Sequence, residues 1–341
     1  MYCPYCGVDH DDATVVESEE HIIPYGLGGS DALTMVTCDT ANNDLGSSVD
    51  APFMDFFPIQ AKRFFLGLES TKGNAPVLDL GGTGWIDGKE TPISYLITEE
   101  SKELKVGRPS VVKTPGENGQ EHWQVSGDPA KVMEVLKGKV RKQMALGKTV
   151  TLEDGTVLTL DNIDQIFAER TTTTVNPSVL KTLDYDHLIS IRFFSKLALA
   201  MGHLYLGESF SRSAHADLLR RNMNAETMDE VTQVGRIWPQ TEDVQTSLDL
   251  IAKTECHTVA IVDGDMPLLL VSLFGEIGAT IPLAPAPADG KLTFSDKGKV
   301  WRIALPSREL TTFTILGLVE ERMKVLRAGA PEDEPKPRVR E

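Results

Sequence analysis

The sequence predicts an α+β fold, with a small N-terminal module followed by a larger mixed body. Two observations predict it. Residues 1–46 contain three of the four cysteines, a Glu-His pair and an Asn-Asn pair. From residue 76 onward, strand-like alternation and helix-like three- and four-residue spacing of apolar residues follow one another. A chain of 341 residues is long enough for two or three domains with buried cores.

The chain divides into three predicted segments. Residues 1–52 form the N-terminal module and residues 53–327 form the α+β body. Residues 328–341 form a tail that we expect to be disordered, because it is rich in Pro and charged residues.

Within the module, the sequence predicts a strand, a loop and a helix in that order. The strand ends near Glu20-His21, where Pro24 fixes a turn. Gly28-Gly29 then allows a tight loop, and Asn42-Asn43 heads a segment that can form a helix.

The body alternates between strand and helix signals and shows no internal repeat. Asp-Gly turns between alternating segments predict β-hairpins, and apolar residues at three- and four-residue spacing predict helices. The predicted strands are 77–80, 95–97, 122–125 and 300–305, the predicted hairpins are 149–160 and 257–274, and the predicted helices are 131–146, 177–206, 217–223 and 313–326.

The composition is that of an ordinary soluble protein, with 41% hydrophobic and 25% charged residues. The sequence has no run of roughly 18 apolar residues that would cross a membrane. It begins with Cys-x-x-Cys and not with a basic and then apolar leader. Four unevenly spaced cysteines favour a metal site over a disulfide framework. We therefore expect a cytoplasmic protein without a membrane partner.

The charge distribution bears on nucleic-acid binding. The net charge of −16 opposes contact with phosphates, and residues 1–50 contain ten acidic residues but no Lys or Arg. Residues 101–150, in contrast, contain ten Lys or Arg against five acidic residues. This basic segment is either a solvated surface or a phosphate-contacting one, and charge alone does not decide between them. The candidate nucleic-acid contacts are Lys62, Arg63, Lys137, Lys139, Arg141 and Lys142.

The N-terminal cysteines form a zinc knuckle that lacks one ligand. Cys3 and Cys6 have the spacing that binds one tetrahedral Zn²⁺, and Cys38 supplies a third thiolate. A redox pair is the weaker alternative, because no apolar strand precedes the motif. Ala41 stands where a second Cys-x-x-Cys would close, and it cannot bind metal. The fourth place is left to another residue, to water or to nothing; the nearby candidates are Asp39, His10 and Asp9.

The pair Glu20-His21 points to hydrolysis more directly. An imidazole can take a proton from water near neutral pH, and a neighbouring carboxylate can hold a hard divalent cation. A surface His after an acidic run is the alternative interpretation. The predicted strand, loop and helix would surround one cation with the carboxylate and the amide of Asn42, leaving the imidazole on the open side. This arrangement suits phosphodiester hydrolysis.

Together these motifs resemble the HNH endonucleases, or ββα-metal nucleases, and especially their zinc-knuckle-bearing branch. The resemblance covers residues 1–50 and implies a ββα-metal module. It implies that His21 is the general base, and that Glu20 and Asn42 bind a catalytic Mg²⁺ or Mn²⁺. It also implies a structural Zn²⁺ on Cys3, Cys6 and Cys38, with the family's fourth cysteine replaced by Ala41.

The leading hypothesis is therefore a metal-dependent endonuclease that cuts DNA, with the body supplying target binding, dimerisation or control by a ligand or partner protein. The proportion of body to module favours a bacterial restriction or antiviral effector. The alternative is a non-catalytic nucleic-acid-binding or regulatory protein that keeps the nuclease scaffold. Ala41 and the absence of Lys and Arg from residues 1–50 favour this alternative.

Overall fold

The structure of the chain is a computed structural model, and its described residues form two compact units. One unit combines Met1–Pro76 with Tyr185–Glu341, and the other is Val77–Asp184. The module boundary predicted after residue 52 stays a prediction, and the predicted tail lies outside the described residues. The described residues are 1–11, 13–86, 89–98, 102–106, 110–115, 121–126, 129–152, 155–168, 179–180, 186–237, 251, 253–285, 287–288 and 293–327.

The N-terminal module consists of two hairpins followed by a helix. The first hairpin pairs β1 (Tyr2–Cys3) with β2 (Val8–Asp9), and the second pairs β3 (Glu17–His21) with β4 (Thr34–Cys38). Helix α1 (Asp39–Leu45) follows β4 directly, because the Cys38 sulfur caps its first turn. The strand, loop and helix predicted for this segment are confirmed.

Two short helices lead out of the module. After a π-type turn over Gly46–Asp50 come α2 (Ala51–Asp55) and α3 (Phe57–Phe65). Each helix has a proline in its first turn, where the missing N–H costs nothing.

The unit Val77–Asp184 is built around a five-stranded antiparallel sheet of order β13-β6-β7-β5, with β8 also paired to β7. Val140, Leu158 and Ile163 form its small buried core. Its elements are β5 (Leu78–Asp79), β6 (Gly82–Ile86), β7 (Lys89–Ile97), β8 (Lys102–Val106), β9 (Ser110–Pro115), β10 (Glu121–Ser126), α4 (Pro129–Ala145), β11 (Val150–Thr151), β12 (Val157–Leu158), α5 (Ile163–Ala168) and β13 (Val179–Leu180).

The C-terminal part of the first unit combines helices with a six-stranded antiparallel sheet of order β14-β17-β16-β15-β18-β19. Its elements are α6 (His187–Leu206), α7 (Glu208–Ser211), α8 (Ala214–Asn224), β14 (Arg236–Ile237), β15 (Cys256–Gly264), β16 (Leu268–Leu273), β17 (Ile277–Pro282), β18 (Phe294–Ala304), β19 (Leu310–Thr314) and α9 (Ile315–Arg327). The mixed α+β class is thus confirmed. No helix in the described ranges is long and apolar enough to span a membrane.

One hydrophobic core joins the module to α6 and the six-stranded sheet. Ile22, Ile23 and Leu27 of the module are buried in it. The Phe53 ring stacks on Phe193 of α6, with centroids 3.8 Å apart and planes 4° apart. Part of the module's buried apolar surface is therefore covered by the body.

The helix predicted over 177–206 is wrong at its start. Val179–Leu180 pairs with β6 as a strand, and α6 begins only at His187. Asp186 sets this start, because its Oδ1 accepts hydrogen bonds from the N–H groups of Leu188 (2.9 Å) and Ile189 (3.3 Å). The spacing of apolar residues alone did not show that residues 179–180 form a strand and that the helix begins after them.

Candidate functional site

Three cysteines and one histidine of the two N-terminal hairpins converge on a single point. The ligand atoms of Cys3, Cys6, His10 and Cys38, here called the knuckle cluster, all lie within 4.8 Å of one another. Cys3 ends β1, Cys6 lies in the turn after it, His10 follows β2, and Cys38 ends β4. Three sulfurs and one imidazole nitrogen are a tetrahedral ligand set for a closed structural Zn²⁺ site.

The fourth place, which the sequence left open, is taken by His10. Its Nε2 atom is buried and has no hydrogen-bond partner, as expected for an atom that binds a metal. Asp9 instead accepts a hydrogen bond from Arg212 at 2.7 Å, and Asp39 accepts one from Asn43 at 2.9 Å. Ala41 contributes only its backbone N–H, which donates to the Cys38 sulfur at 3.4 Å.

The thiols of the knuckle cluster influence one another. Burial raises the pKa of Cys6, and the charge of neighbouring Cys3 adds to the effect. Burial also disfavours the Cys3 thiolate, but hydrogen bonds from the Cys38 backbone and the Thr37 hydroxyl outweigh it and lower the pKa of Cys3 to about 7. Cysteines bind a metal as thiolates, so a bound dication would stabilise the deprotonated forms of the cysteines in the knuckle cluster.

Strand β3 separates the residues of the predicted catalytic set onto two faces. Side chains alternate along a strand, so Ser18 and Glu20 share one face while Glu19 and His21 share the other. Asn42 of α1 donates through Nδ2 to the Ser18 hydroxyl at 2.7 Å. Glu20 and Asn42 therefore belong to the α1 side of the strand.

Glu20 belongs to a buried ionic group that the sequence analysis missed. Lys196 of α6 donates to Glu20 Oε1 and, at 2.5 Å, to Asp50 Oδ2. The three side chains are only 1% (Lys196), 9% (Glu20) and 8% (Asp50) exposed. We call Glu20, Asp50 and Lys196 the buried triad. Its one signal in the sequence was a lysine within the apolar helix.

The electrostatics of the buried triad favour a charged lysine. Burial raises the pKa of Glu20 and of Asp50, and the ammonium offsets this only in part. Burial disfavours the charge on Lys196 as well, but the two carboxylates outweigh that effect and raise the pKa of Lys196.

His21 is the last residue of β3, and a carboxylate orients its imidazole. Its Nε2 atom is 2.8 Å from Asp31 Oδ1, and its ring meets the edge of Tyr25 with centroids 5.7 Å apart. The imidazole is 27% exposed and Asp31 is 84% exposed. A base held by a carboxylate is a recurrent arrangement for activating a nucleophile. Asp31 was not among the residues predicted from the sequence.

The loop after His21 is fixed by His257 of the six-stranded sheet and by Arg308 of the turn between β18 and β19. Arg308 stacks over Tyr25, with its guanidinium carbon 3.4 Å from the ring centroid, and donates to the Tyr25 carbonyl at 2.6 Å. His257 donates from Nε2 to the Leu27 carbonyl at 2.7 Å. These contacts fix the backbone that connects His21 to Asp31.

The predicted nucleic-acid contacts lie in different environments. Lys62 pairs with Glu276 at 2.5 Å, and Arg63 donates to the Gly26 carbonyl at 2.7 Å. In the other unit, Lys137 pairs with Asp164 at 2.6 Å, Lys139 is half-buried, and Arg141 and Lys142 are exposed. The side chains of Lys102, Lys105, Arg108, Lys113 and Lys131 lie outside the described residues.

Among the residues that the structure describes, the knuckle cluster is the one group of three or more His, Cys, Asp or Glu side chains close enough to hold a metal ion. The predicted pair Glu20 and Asn42 would supply only two ligands, so water and substrate oxygens would have to complete a coordination shell. Mg²⁺ commonly binds proteins in this way, through one or two side chains.

A comparison with known proteins agrees with this geometry. Residues 3–58 match the sequence profile of a family described as HNH endonuclease. The match begins at Cys3 and ends in the first turn of α3, so it includes the knuckle cluster, β3, β4 and α1. No curated protein and no solved structure matches the chain.

Proposed function

We propose that this chain, whose residues 3–58 form an HNH endonuclease domain, is a metal-dependent nuclease that hydrolyses phosphodiester bonds of DNA. The observation that carries the proposal is that the side chains of Glu20 and His21 lie on opposite faces of β3. Glu20 lies on the face of β3 that is turned toward Asn42. His21 is the last residue of the strand, and its imidazole is hydrogen-bonded to Asp31.

Each residue then has a defined task. Glu20 and the side-chain oxygen of Asn42 would hold a Mg²⁺ or Mn²⁺ ion, and the ion would supply positive charge opposite the scissile phosphate and the leaving oxygen. His21 takes a proton from the attacking water through Nδ1, because Nε2 is held by Asp31. The knuckle cluster would hold a structural Zn²⁺, which would join the first hairpin to the start of α1.

DNA must be bound mainly by residues outside the module, because residues 1–50 contain no Lys or Arg. Arg141 and Lys142 on α4 are exposed candidates for phosphate contacts. We also propose that the body restrains or targets the nuclease, as in a bacterial restriction or antiviral effector in the cytoplasm. If the isolated protein cuts unmodified DNA without any partner, the restrained form of the proposal is wrong.

A non-catalytic DNA-binding protein is the second candidate. Its support is that Glu20 is buried and engaged by Lys196. Such a protein would bind DNA without cutting it. DNA binding that falls steeply between low and moderate salt would show phosphate contacts for either candidate.

A cleavage assay tests the proposal. Supercoiled plasmid is incubated with zinc-loaded protein in EDTA, Mg²⁺ or Mn²⁺, and the nicked and linear products are quantified. We expect products with Mg²⁺ or Mn²⁺ and none in EDTA. Salt-sensitive binding without cleavage in either ion would favour the second candidate.

A further inference from the structure

The buried triad joins the nuclease module to a helix far away in the sequence. Lys196 lies among ten consecutive buried residues of α6, from Phe193 to Gly202, and it is one of the largest fully buried side chains. It contacts Glu20 at the end of β3 and Asp50 at the end of the turn after α1. The segment that matches the nuclease family ends at residue 58 and therefore excludes Lys196.

Stability alone does not account for the buried triad. Removing two carboxylates and an ammonium from water is costly, and apolar residues of the same volume often serve stability as well or better. With all three groups ionised, the triad carries one more negative charge than positive charge. Two oxygens near Lys196, Asp50 Oδ1 and the Tyr5 hydroxyl, are buried without hydrogen-bond partners. Tyr5 lies in the turn between Cys3 and Cys6, and its ring centroid is 5.8 Å from Lys196 Nζ.

The contact with Glu20 is specific to one oxygen. Lys196 donates to Oε1, and Asp50 holds the same ammonium from another side. A carboxylate fixed through one oxygen presents the other in a defined direction. Hydrogen-bonded partners behind metal-binding carboxylates act in this way in many metal sites.

We propose that Lys196 is a positioning residue of the catalytic metal site: it fixes Glu20 so that Oε2 is presented to the divalent cation. The inference rests on the proposed function, because it assigns the cation to Glu20 and Asn42. Asp50 orients Lys196 and supplies the negative charge that keeps the group attractive to a cation. The body helix α6 is thus part of the active site, and the module is incomplete without it.

The test measures Mn²⁺ binding by electron paramagnetic resonance on zinc-loaded, full-length protein. The variants are Lys196→Met, Lys196→Arg and Asp50→Asn, with Glu20→Gln defining the signal that belongs to this site. We expect Lys196→Met to weaken Mn²⁺ binding by about 10- to 100-fold. Lys196→Arg should recover part of the affinity, because a guanidinium still donates to Oε1. In cleavage assays the Mn²⁺ concentration for half-maximal rate should rise in the same order.

Two further measurements keep the result decisive. Lys253→Met, which removes a lysine from a more exposed ion pair with Glu321, should leave Mn²⁺ binding unchanged. If Lys196→Met fails to fold, the nearly isosteric Asp50→Asn carries the test, and it should weaken Mn²⁺ binding without touching the ion. Folded variants with wild-type Mn²⁺ affinity and metal dependence would overturn the inference while leaving the proposed function intact. Wild-type protein that neither binds Mn²⁺ nor cuts DNA would instead overturn the proposed function.

Discussion

His257 Nε2 lies 2.7 Å from the carbonyl oxygen of Leu27, so a fully buried imidazole of the six-stranded sheet holds the loop that follows the predicted general base. The other ring nitrogen, Nδ1, accepts a hydrogen bond from the Phe274 N–H at 3.3 Å. This pattern needs a neutral imidazole, because a proton on Nδ1 would face the N–H of Phe274.

His257 should therefore make the fold sensitive to acid. Burial lowers its pKa from 6.5 to about 4. Between these two values the unfolded chain binds a proton that the folded chain does not, so stability falls as the pH falls. Through this group the free energy of unfolding falls by roughly 3 kcal/mol between about pH 6.5 and pH 4. Urea denaturation at several pH values measures it.

The variant His257→Gln isolates this contribution from the other titrating groups. Its amide can donate to Leu27 but does not titrate, so its stability should vary less with pH between about 6.5 and 4 than that of the wild type. An unchanged slope in the variant would show that His257 is not the titrating group.

Zinc content should depend on His10. Purified wild-type protein is expected to carry about one Zn²⁺ per chain, and His10→Ala should lose most of it, because three thiolates remain without their fourth ligand. Asp9→Asn and Asp39→Asn are matched controls from the same short segment and should keep their zinc. Elemental analysis measures all four proteins. Retention of zinc by His10→Ala would contradict the assignment.

Gly29 should not tolerate a side chain. A Cβ atom at this position would lie 1.7 Å from the carbonyl oxygen of Ile23, so the backbone between His21 and Asp31 would have to move. We expect Gly29→Ala to lower the free energy of unfolding by about 2 kcal/mol or more.

Gly46 provides the comparison for this glycine. It has helical backbone angles, and nothing lies within 4 Å of an added Cβ atom. Gly46→Ala should therefore leave stability unchanged or raise it by up to about 1 kcal/mol. Guanidinium denaturation followed by tryptophan fluorescence compares the two variants. Equal stabilities would contradict the steric account.

Features that depend on residues close together in the chain could be predicted from the sequence. The hairpin of β15 and β16 followed from alternation around Asp263-Gly264, and a helix at Asn42 followed from its motif, although α1 begins three residues earlier, at Asp39. Lys196 could not be predicted, because its pairing with Glu20 joins residues 176 positions apart. That contact depends on how α6 packs against the module, which local patterns do not encode.

The choice of the fourth knuckle ligand illustrates a second limit. Asp9, His10 and Asp39 were equally near in the sequence, and only the three-dimensional structure separates them. Arg212 of the body engages Asp9, whereas His10 Nε2 is left buried beside the three sulfurs. Similarly, Asp31 carries no motif of its own, and its role follows from the loop that returns it to His21.

The measurement that most directly tests the nuclease account compares His21→Ala with Glu20→Gln, with cleavage and Mn²⁺ binding followed on the same zinc-loaded samples. His21→Ala should bind Mn²⁺ like the wild type but lose plasmid cleavage by about 100-fold or more, because the variant lacks the proposed general base. Glu20→Gln should lose both, and His187→Ala, an exposed histidine at the start of α6, should lose neither. Cleavage at the wild-type rate by folded His21→Ala would contradict the account.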